Sequence, residues 1–252
     1  EESESRDRAG SPLSPLVHDL GFTTSLEFGT KSAAGRGLTS EELSRAQRMR
    51  VWQERGRAST ANERNLMVAM RYITHLADQL NLGKNIIVRA ARIYREALEM
   101  GLVRGRPINS MAAAVVYAAC RSSEVPRTLK EVAAKAGLRK KEVARSYRNI
   151  LKAMENEKMP ISDPIIYISK VASKLKLGPD IERETLKIIN VARSKKTTSG
   201  KDPMGLVAAA MYMATLRLGI NSVTQKQIAE AANVTEVTVR NRFKGLKEVV
   251  SQ

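Results

Sequence analysis

The chain is 252 residues long and 42% hydrophobic, with 43 lysines and arginines against 26 aspartates and glutamates, a formal net charge of +17. That length is enough for one large domain or two ordinary ones with buried cores, and the charge points to a polyanionic partner: nucleic acid, an acidic protein surface or an anionic membrane. A single cysteine, Cys120, excludes an internal disulfide framework and a cysteine-rich zinc site, and points to a reducing, intracellular setting.

The opening stretch "EESESRDRAG" lacks the basic and apolar regions of a secretory signal, so export is not indicated. Residues 1–61 hold nine basic and nine acidic side chains, negative in balance up to Thr30 and positive from Lys31. The excess lies downstream, 19 against nine in residues 62–158 and 15 against eight in residues 159–252. By composition, Ser11 to Arg36 reads as a flexible Gly/Ser/Pro-rich tail that orders on a partner. Thr39 and Glu42 then have capping-box spacing, ahead of a short basic helix through Arg45, Arg48 and Arg55.

Leu66, Ala69, Met70, Ile73, Leu76 and Ala77 follow the helical period. Gly83 is expected to stop that helix, and Ile86 to Leu98 forms the next. Gly105 to Pro107 breaks the chain before "MAAAVVYAAC", Met111 to Cys120. This run has about half of the roughly 20 apolar residues that a membrane span needs, and Arg121 follows it. Its alanines admit neighbouring helices on all sides, as the central helix of a small bundle requires. Thr128 and Glu131 form another capping-box pair. A short helix, a turn at Gly137, an apolar anchor at Leu138 and a second helix complete the pattern.

The same elements return. Tyr72, Leu82, Ala97, Gly105 and Tyr117 match Tyr167, Leu177, Ala192, Gly200 and Tyr212 at an offset of 95. Thr128, Ala133, Ala136, Val143 and Tyr147 match Thr224, Ala229, Ala232, Val239 and Phe243 at 96. "LVAAAMYMAT", Leu206 to Thr215, is the second central helix, and Thr224 with Gln227 is the second capping pair. Each copy therefore reads as five helices, and the chain as all-α.

Each copy ends in helix-turn-helix spacing, with Gly137 or Asn233 at the turn. In DNA-binding proteins that unit lays its second helix in the major groove; in other helical proteins it is a plain corner. Lys141 and Ala144 stand where the second copy has Val237 and Arg240, three apart on one helical face. Arginine can donate two hydrogen bonds to guanine O6 and N7, and valine can pack on a thymine methyl. Lys140, Lys141, Arg145 and Arg148 offer diffuse charge instead. The second copy is therefore expected to read bases, while the first grips phosphate or an acidic protein. Thr235, Thr238, Arg242 and Lys244, with Arg145 and Arg148, are the candidate DNA-backbone contacts. The alternatives are a core position for Val237 and a solvated face for Lys140 and Lys141.

"GRPINSMAAAVVYAACR" and "GKDPMGLVAAAMYMATL" resemble the signature segments of the two cyclin-like repeats of the transcription factor B family, whose eukaryotic counterpart is TFIIB. "GLRKKEVARSYRNILKAM" resembles the end of the first repeat, and "VTEVTVRNRFKGL" the DNA-reading helix of the second. "SPLSPLVHDLGFTTSLEF" resembles the reader segment that enters the polymerase cleft, and "RAQRMRVWQERGRASTANERNL" the linker after it. The resemblance implies two tandem five-helix cyclin-like repeats, each ending in a helix-turn-helix, after an extended N-terminal segment with a short helix. The division would be residues 1–61, 62–158 and 159–252. It also implies a monomeric initiation factor without a membrane. Its partners are promoter double-stranded DNA, TATA-binding protein and RNA polymerase, whose start site it helps to select. Val237 and Arg240 then read the element upstream of TATA, and Lys140 and Lys141 lie near TATA-binding protein or phosphates. Leu16, Val17, His18, Asp19, Leu20, Gly21, Phe22, Thr23 and Thr24 face the template and polymerase cleft, with Arg48, Arg50 and Arg55. The location is the nucleoid-associated cytoplasm for an archaeal source and the nucleus for a eukaryotic one.

The family normally begins with a zinc ribbon built on cysteine pairs, which one cysteine cannot make. Either a segment upstream of Glu1 is missing here or the member is unusual, and no cofactor is expected in this chain. Other classes fit less well. His18 and His75 have no nucleophile in catalytic spacing, and "TTSGKDP" has only the glycine and lysine of a phosphate loop, so it reads as a loop before a helix. A cyclin that regulates a kinase needs neither terminal helix-turn-helix nor this charge. A dimeric helix-turn-helix repressor would not carry both docking elements in one chain.

Overall fold

Apolar residues at helical spacing, punctuated by capping threonines and glycine turns, become helices throughout the computed structural model, which describes residues 13–17, 19–21, 29–31, 35–56, 60–153, 163–195, 197–198, 200–220 and 223–250. Helix α1 spans Ser40–Gly56. Helices α2 (Ala61–Gln79), α3 (Lys84–Glu99), α4 (Ile108–Ser122), α5 (Leu129–Lys135) and α6 (Lys140–Ala153) follow. A 3-10 turn at Pro164–Tyr167 leads into α7 (Ile168–Leu175), α8 (Pro179–Ser194), α9 (Pro203–Arg217), α10 (Gln225–Ala231) and α11 (Glu236–Val250). The chain divides into two compact units, Glu1–Ser123 with Arg127–Lys158, and Glu124–Pro126 with Met159–Gln252. The fold of the described residues is all-α, two five-helix repeats behind α1.

The two alanine-rich runs are the central helices. From Ser110 to Val116 and from Ala118 to Cys120 every residue of α4 is buried, and α2, α3, α5 and α6 all pack against it. In α9, Met204 to Met211 and Met213 to Thr215 are buried, with α7, α8, α10 and α11 around them. Methyl side chains bring neighbouring backbones close on every side, where larger ones would hold them apart.

The helix starts are made by side chains. Thr128 accepts from the Glu131 amide while the Glu131 carboxylate accepts from Thr128, and Thr224 and Gln227 repeat the arrangement. A further reciprocal pair, Thr60 with Glu63, opens α2. The stop at Gly83 needs correction. Helix α2 ends at Gln79 with Leu80 as its cap, and Asn81, at φ 50°, takes the left-handed position while the Leu82 amide bonds the Ala77 carbonyl at 3.0 Å. Gly83 is extended and caps α3. Asparagine tolerates the left-handed region through its short polar side chain, so the reversal needs no glycine.

One aromatic contact per repeat pins the final helix to the central one. Tyr117 of α4 meets Tyr147 of α6 edge to face at 4.9 Å, and Tyr212 of α9 meets Phe243 of α11 at 5.2 Å. These four positions correspond under the repeat, so both second helices of the helix-turn-helix units are seated by the same device.

Candidate nucleic-acid interface

The second unit is built from the turn outward. Asn233 lies at φ 58°, the Val234 amide bonds the Ala229 carbonyl at 2.9 Å, and Val234 packs partly buried on the core. The Thr235 hydroxyl then accepts from the Thr238 amide at 3.3 Å and lies 2.7 Å from the Thr238 hydroxyl, which opens α11. Val239 and Leu246 are buried, and Phe243 packs beside them. This leaves an opposite face of Val237, Arg240, Asn241 and Lys244, all exposed.

Val237 is 62% exposed, which removes its reading as a core residue. Arg240 stands one turn along and donates from Nη2 to Glu236 Oε1 at 2.9 Å. Thr238 and Arg242 occupy the flank of α11 instead, half-buried against α9. A Cβ on Gly205 would lie 3.2 Å from Thr238 Cγ2 and 3.9 Å from Arg242 Cγ, so that glycine allows the two helices to approach. The structure thus brings Val237, Arg240 and Lys244 onto one face and sets Thr235, at the cap, and Thr238 and Arg242, on the flank, apart from it. Asn241 and Glu236 belong to the open end of the helix and escaped the sequence reading. Counting four residues on from Val237 finds Asn241.

In the first unit, Gly137 takes φ 65° and the Leu138 amide bonds Ala133 at 2.9 Å, the same turn with glycine in place of asparagine. Val143, Tyr147 and Ile150 of α6 are buried. On the outer side Lys141, Arg145, Arg148 and Lys152 follow one another at four-, three- and four-residue steps, all exposed, and Lys140 is exposed at the helix start. They form one basic row along α6, to which the sequence reading had not extended Lys152. Beside it a cavity of about 530 Å³ is lined by Arg106, Ser110, Glu142, Arg145, Ser146 and Asn149, among others. The Ser110 and Ser146 hydroxyls meet at its base, 3.2 Å apart.

Of the proposed polymerase-facing residues, Leu16, Val17, Asp19, Leu20 and Gly21 are described; His18, Phe22, Thr23 and Thr24 lie outside the described residues. Within the stretch expected to be a flexible tail, the described residues between Ser14 and Gly21 bond to one another. The Ser14 amide bonds the Leu20 carbonyl at 2.9 Å and the Leu20 amide bonds Val17 at 3.0 Å, while Asp19 Oδ1 accepts from the Gly21 amide at 3.1 Å. Arg95 of α3 donates to the Pro15 carbonyl at 3.1 Å and also to the Val17 carbonyl. Partial burial lowers the Arg95 pKa from the usual guanidinium value, opposed by Glu99 and Asp19. On α1, Arg48 and Arg55 are exposed and Arg50 is half-buried. The Arg55 guanidinium lies 5.6 Å from the centre of the exposed Trp52 ring.

His75 is exposed and its Nε2 lies 3.0 Å from Gln79 Nε2. Among the described residues no group of three or more histidines, cysteines or acids is placed to hold a metal. No described helix is long and apolar enough to cross a membrane.

Two five-helix units, each with a buried alanine-rich central helix and a helix-turn-helix at its end, define a tandem cyclin-like repeat protein. The family model described as "Transcription factor TFIIB repeat" matches residues 62–153 and 157–249. The chain is 46% identical over 252 residues to Transcription initiation factor IIB of Ignicoccus hospitalis, covering 100% of this chain and 79% of that protein. Its identity to the factor of the same name from Pyrodictium occultum is 48% over 246 residues, 98% of this chain and 78% of the relative. For Saccharolobus shibatae the figures are 44% over 248 residues, 98% and 80%. The chain belongs to the TFIIB family. It is a general transcription initiation factor, of a family that is not enzymatic, and these relatives are archaeal.

Proposed function

We propose that this chain binds TATA-binding protein seated on promoter DNA, reads the element upstream of TATA through α11, and brings RNA polymerase to the start site. The observation that carries this reading is the outer face of α11, where Val237 is held in solvent at 62% exposure one turn from Arg240. An apolar side chain and a guanidinium so spaced suit a thymine methyl and a guanine edge. Lys244 continues that face toward the DNA backbone, with Thr235 at the cap and Thr238 and Arg242 on the flank in reach of backbone only. The basic row of α6, with Lys140 at its head, suits phosphates or an acidic edge of TATA-binding protein.

In this reading residues 1–61 form the reader and linker, residues 62–158 the first repeat and residues 159–252 the second. Residues 16–24 face the template strand in the polymerase cleft, with Arg48, Arg50 and Arg55 along α1. The protein acts as a monomer in the nucleoid-associated cytoplasm.

The test is binding to a TATA-containing duplex at fixed salt, with and without TATA-binding protein, on the original and on a mutated upstream element. Arg240→Ala is expected to lose about 1–3 kcal/mol on the original element alone, and only when TATA-binding protein is present. Equal loss on both duplexes would make Arg240 a phosphate contact. Indifference to TATA-binding protein would defeat the initiation-complex reading itself.

A further inference from the structure

We infer that Glu236 is a specificity-determining residue of α11, holding the Arg240 guanidinium so that only a correctly placed guanine, and not a passing phosphate, releases it. The inference rests on the base-reading role proposed above. Its geometric basis is the 2.9 Å bond from Arg240 Nη2 to Glu236 Oε1, one helical turn apart, with side chains 58% and 43% exposed. The pair is therefore open to an approaching duplex and is not locked in the core.

The setting makes an acid here informative. Glu236 is the first residue of a helix whose open face carries Arg240 and Lys244, in a chain of net charge +17. A carboxylate at that edge opposes attraction to every duplex by about one charge, since non-specific binding is set by phosphate neutralisation. The first repeat has Lys140 where this one has Glu236, and Ala144 where this one has Arg240. The acid is present in the copy that has the arginine, and a base replaces it in the copy that lacks one.

A free guanidinium on a non-cognate sequence swings to the nearest phosphate and contributes affinity without information. With Glu236 beside it, that contact must first displace an ion pair. On the cognate element, guanine O6 and N7 together replace the carboxylate with two oriented acceptors. Glu236 thus subtracts more from wrong sequences than from the right one, which is specificity through a repulsive element. A glutamate at a helix start also favours the helix dipole. That role alone would alter stability and would shift both duplexes equally, and α6 starts with lysines at its first two positions.

The experiment uses the full chain with TATA-binding protein and compares Glu236→Gln, Arg240→Ala and the double variant on the original and mutated elements over a salt series. Glu236→Gln is expected to bind the mutated element about threefold more tightly, with a steeper salt dependence, and the original element within about twofold of the unmodified chain. In the Arg240→Ala background the same change is expected to act equally on both duplexes. If Arg240→Ala is selective but Glu236→Gln leaves the ratio between duplexes unchanged, this inference fails and the base-reading role stands. If Arg240→Ala is itself unselective, both fail together. Thermal unfolding of each variant separates a folding defect from a binding one.

Discussion

Val237 and Glu184 show how one side chain's surroundings set its role. The helical period allowed Val237 to be either buried or a reader, and the surrounding helix decides, because Val239 and Leu246 take the core positions. Glu184 of α8 accepts from Lys187 Nζ and Arg217 Nη1, each at 3.1 Å. The hydrogen bond from Lys187, then that from Arg217, lowers its pKa below the ordinary carboxylate value. A carboxylate depressed in the folded state stabilises that state above its unfolded pKa, and the contribution is lost as pH falls through the folded value. Glu184→Gln is therefore expected to lower the melting temperature at neutral pH, with the gap to the unmodified chain closing below the ordinary carboxylate range. Melting temperature measured against pH checks this; a gap that persists in acid would assign the effect to packing.

At the scale of elements, α9 and α11 act as one unit through Gly205. A Cβ there would meet Thr238 Cγ2 at 3.2 Å, tighter than ordinary contact. Gly205→Ala is thus expected to displace α11 by a few tenths of an ångström and to destabilise the second repeat by about 1 kcal/mol or more, despite alanine's better helix propensity. Denaturant unfolding would show the loss, and weaker binding to the upstream element would accompany it; a stabilised variant would mean that Thr238 gives way freely. The helices themselves were largely legible. All six residues from Leu66 to Ala77 that follow the helical period are buried, and the Thr128 and Thr224 boxes form at the predicted pairs. The exchange of roles between Asn81 and Gly83 was not, since either residue tolerates a turn and the choice depends on where the carbonyls of α2 point.

Across the whole molecule the dominant quantity is charge, and α6 gives it a direction. Lys141, Arg145, Arg148 and Lys152 form one exposed row. If the row meets phosphates, each removal is expected to reduce the slope of log affinity against log salt by about 1, equally on both elements, whereas Arg240→Ala alters their ratio. Binding of Arg148→Ala to the TATA duplex across a salt series checks this, and an unchanged slope with weaker binding would place an acidic protein surface there instead. The stretch around Pro15 and Val17 belongs to this scale as well. Its composition reads as a tail, and Arg95 holds carbonyls there that lie 78 and 80 residues away along the chain.

The sequence by itself determined the all-α repeat, the central alanine helices, the turns at Gly137 and Asn233, and the family, because periodicity, capping and turn geometry act over a few residues and repeat after about a hundred. Only the tertiary structure decided which side of α11 is open, that Thr238 and Arg242 face α9, and that Pro15 and Val17 meet Arg95 of α3. Those outcomes depend on which distant surfaces reach a side chain first, and a period along one helix is the same whichever face is covered.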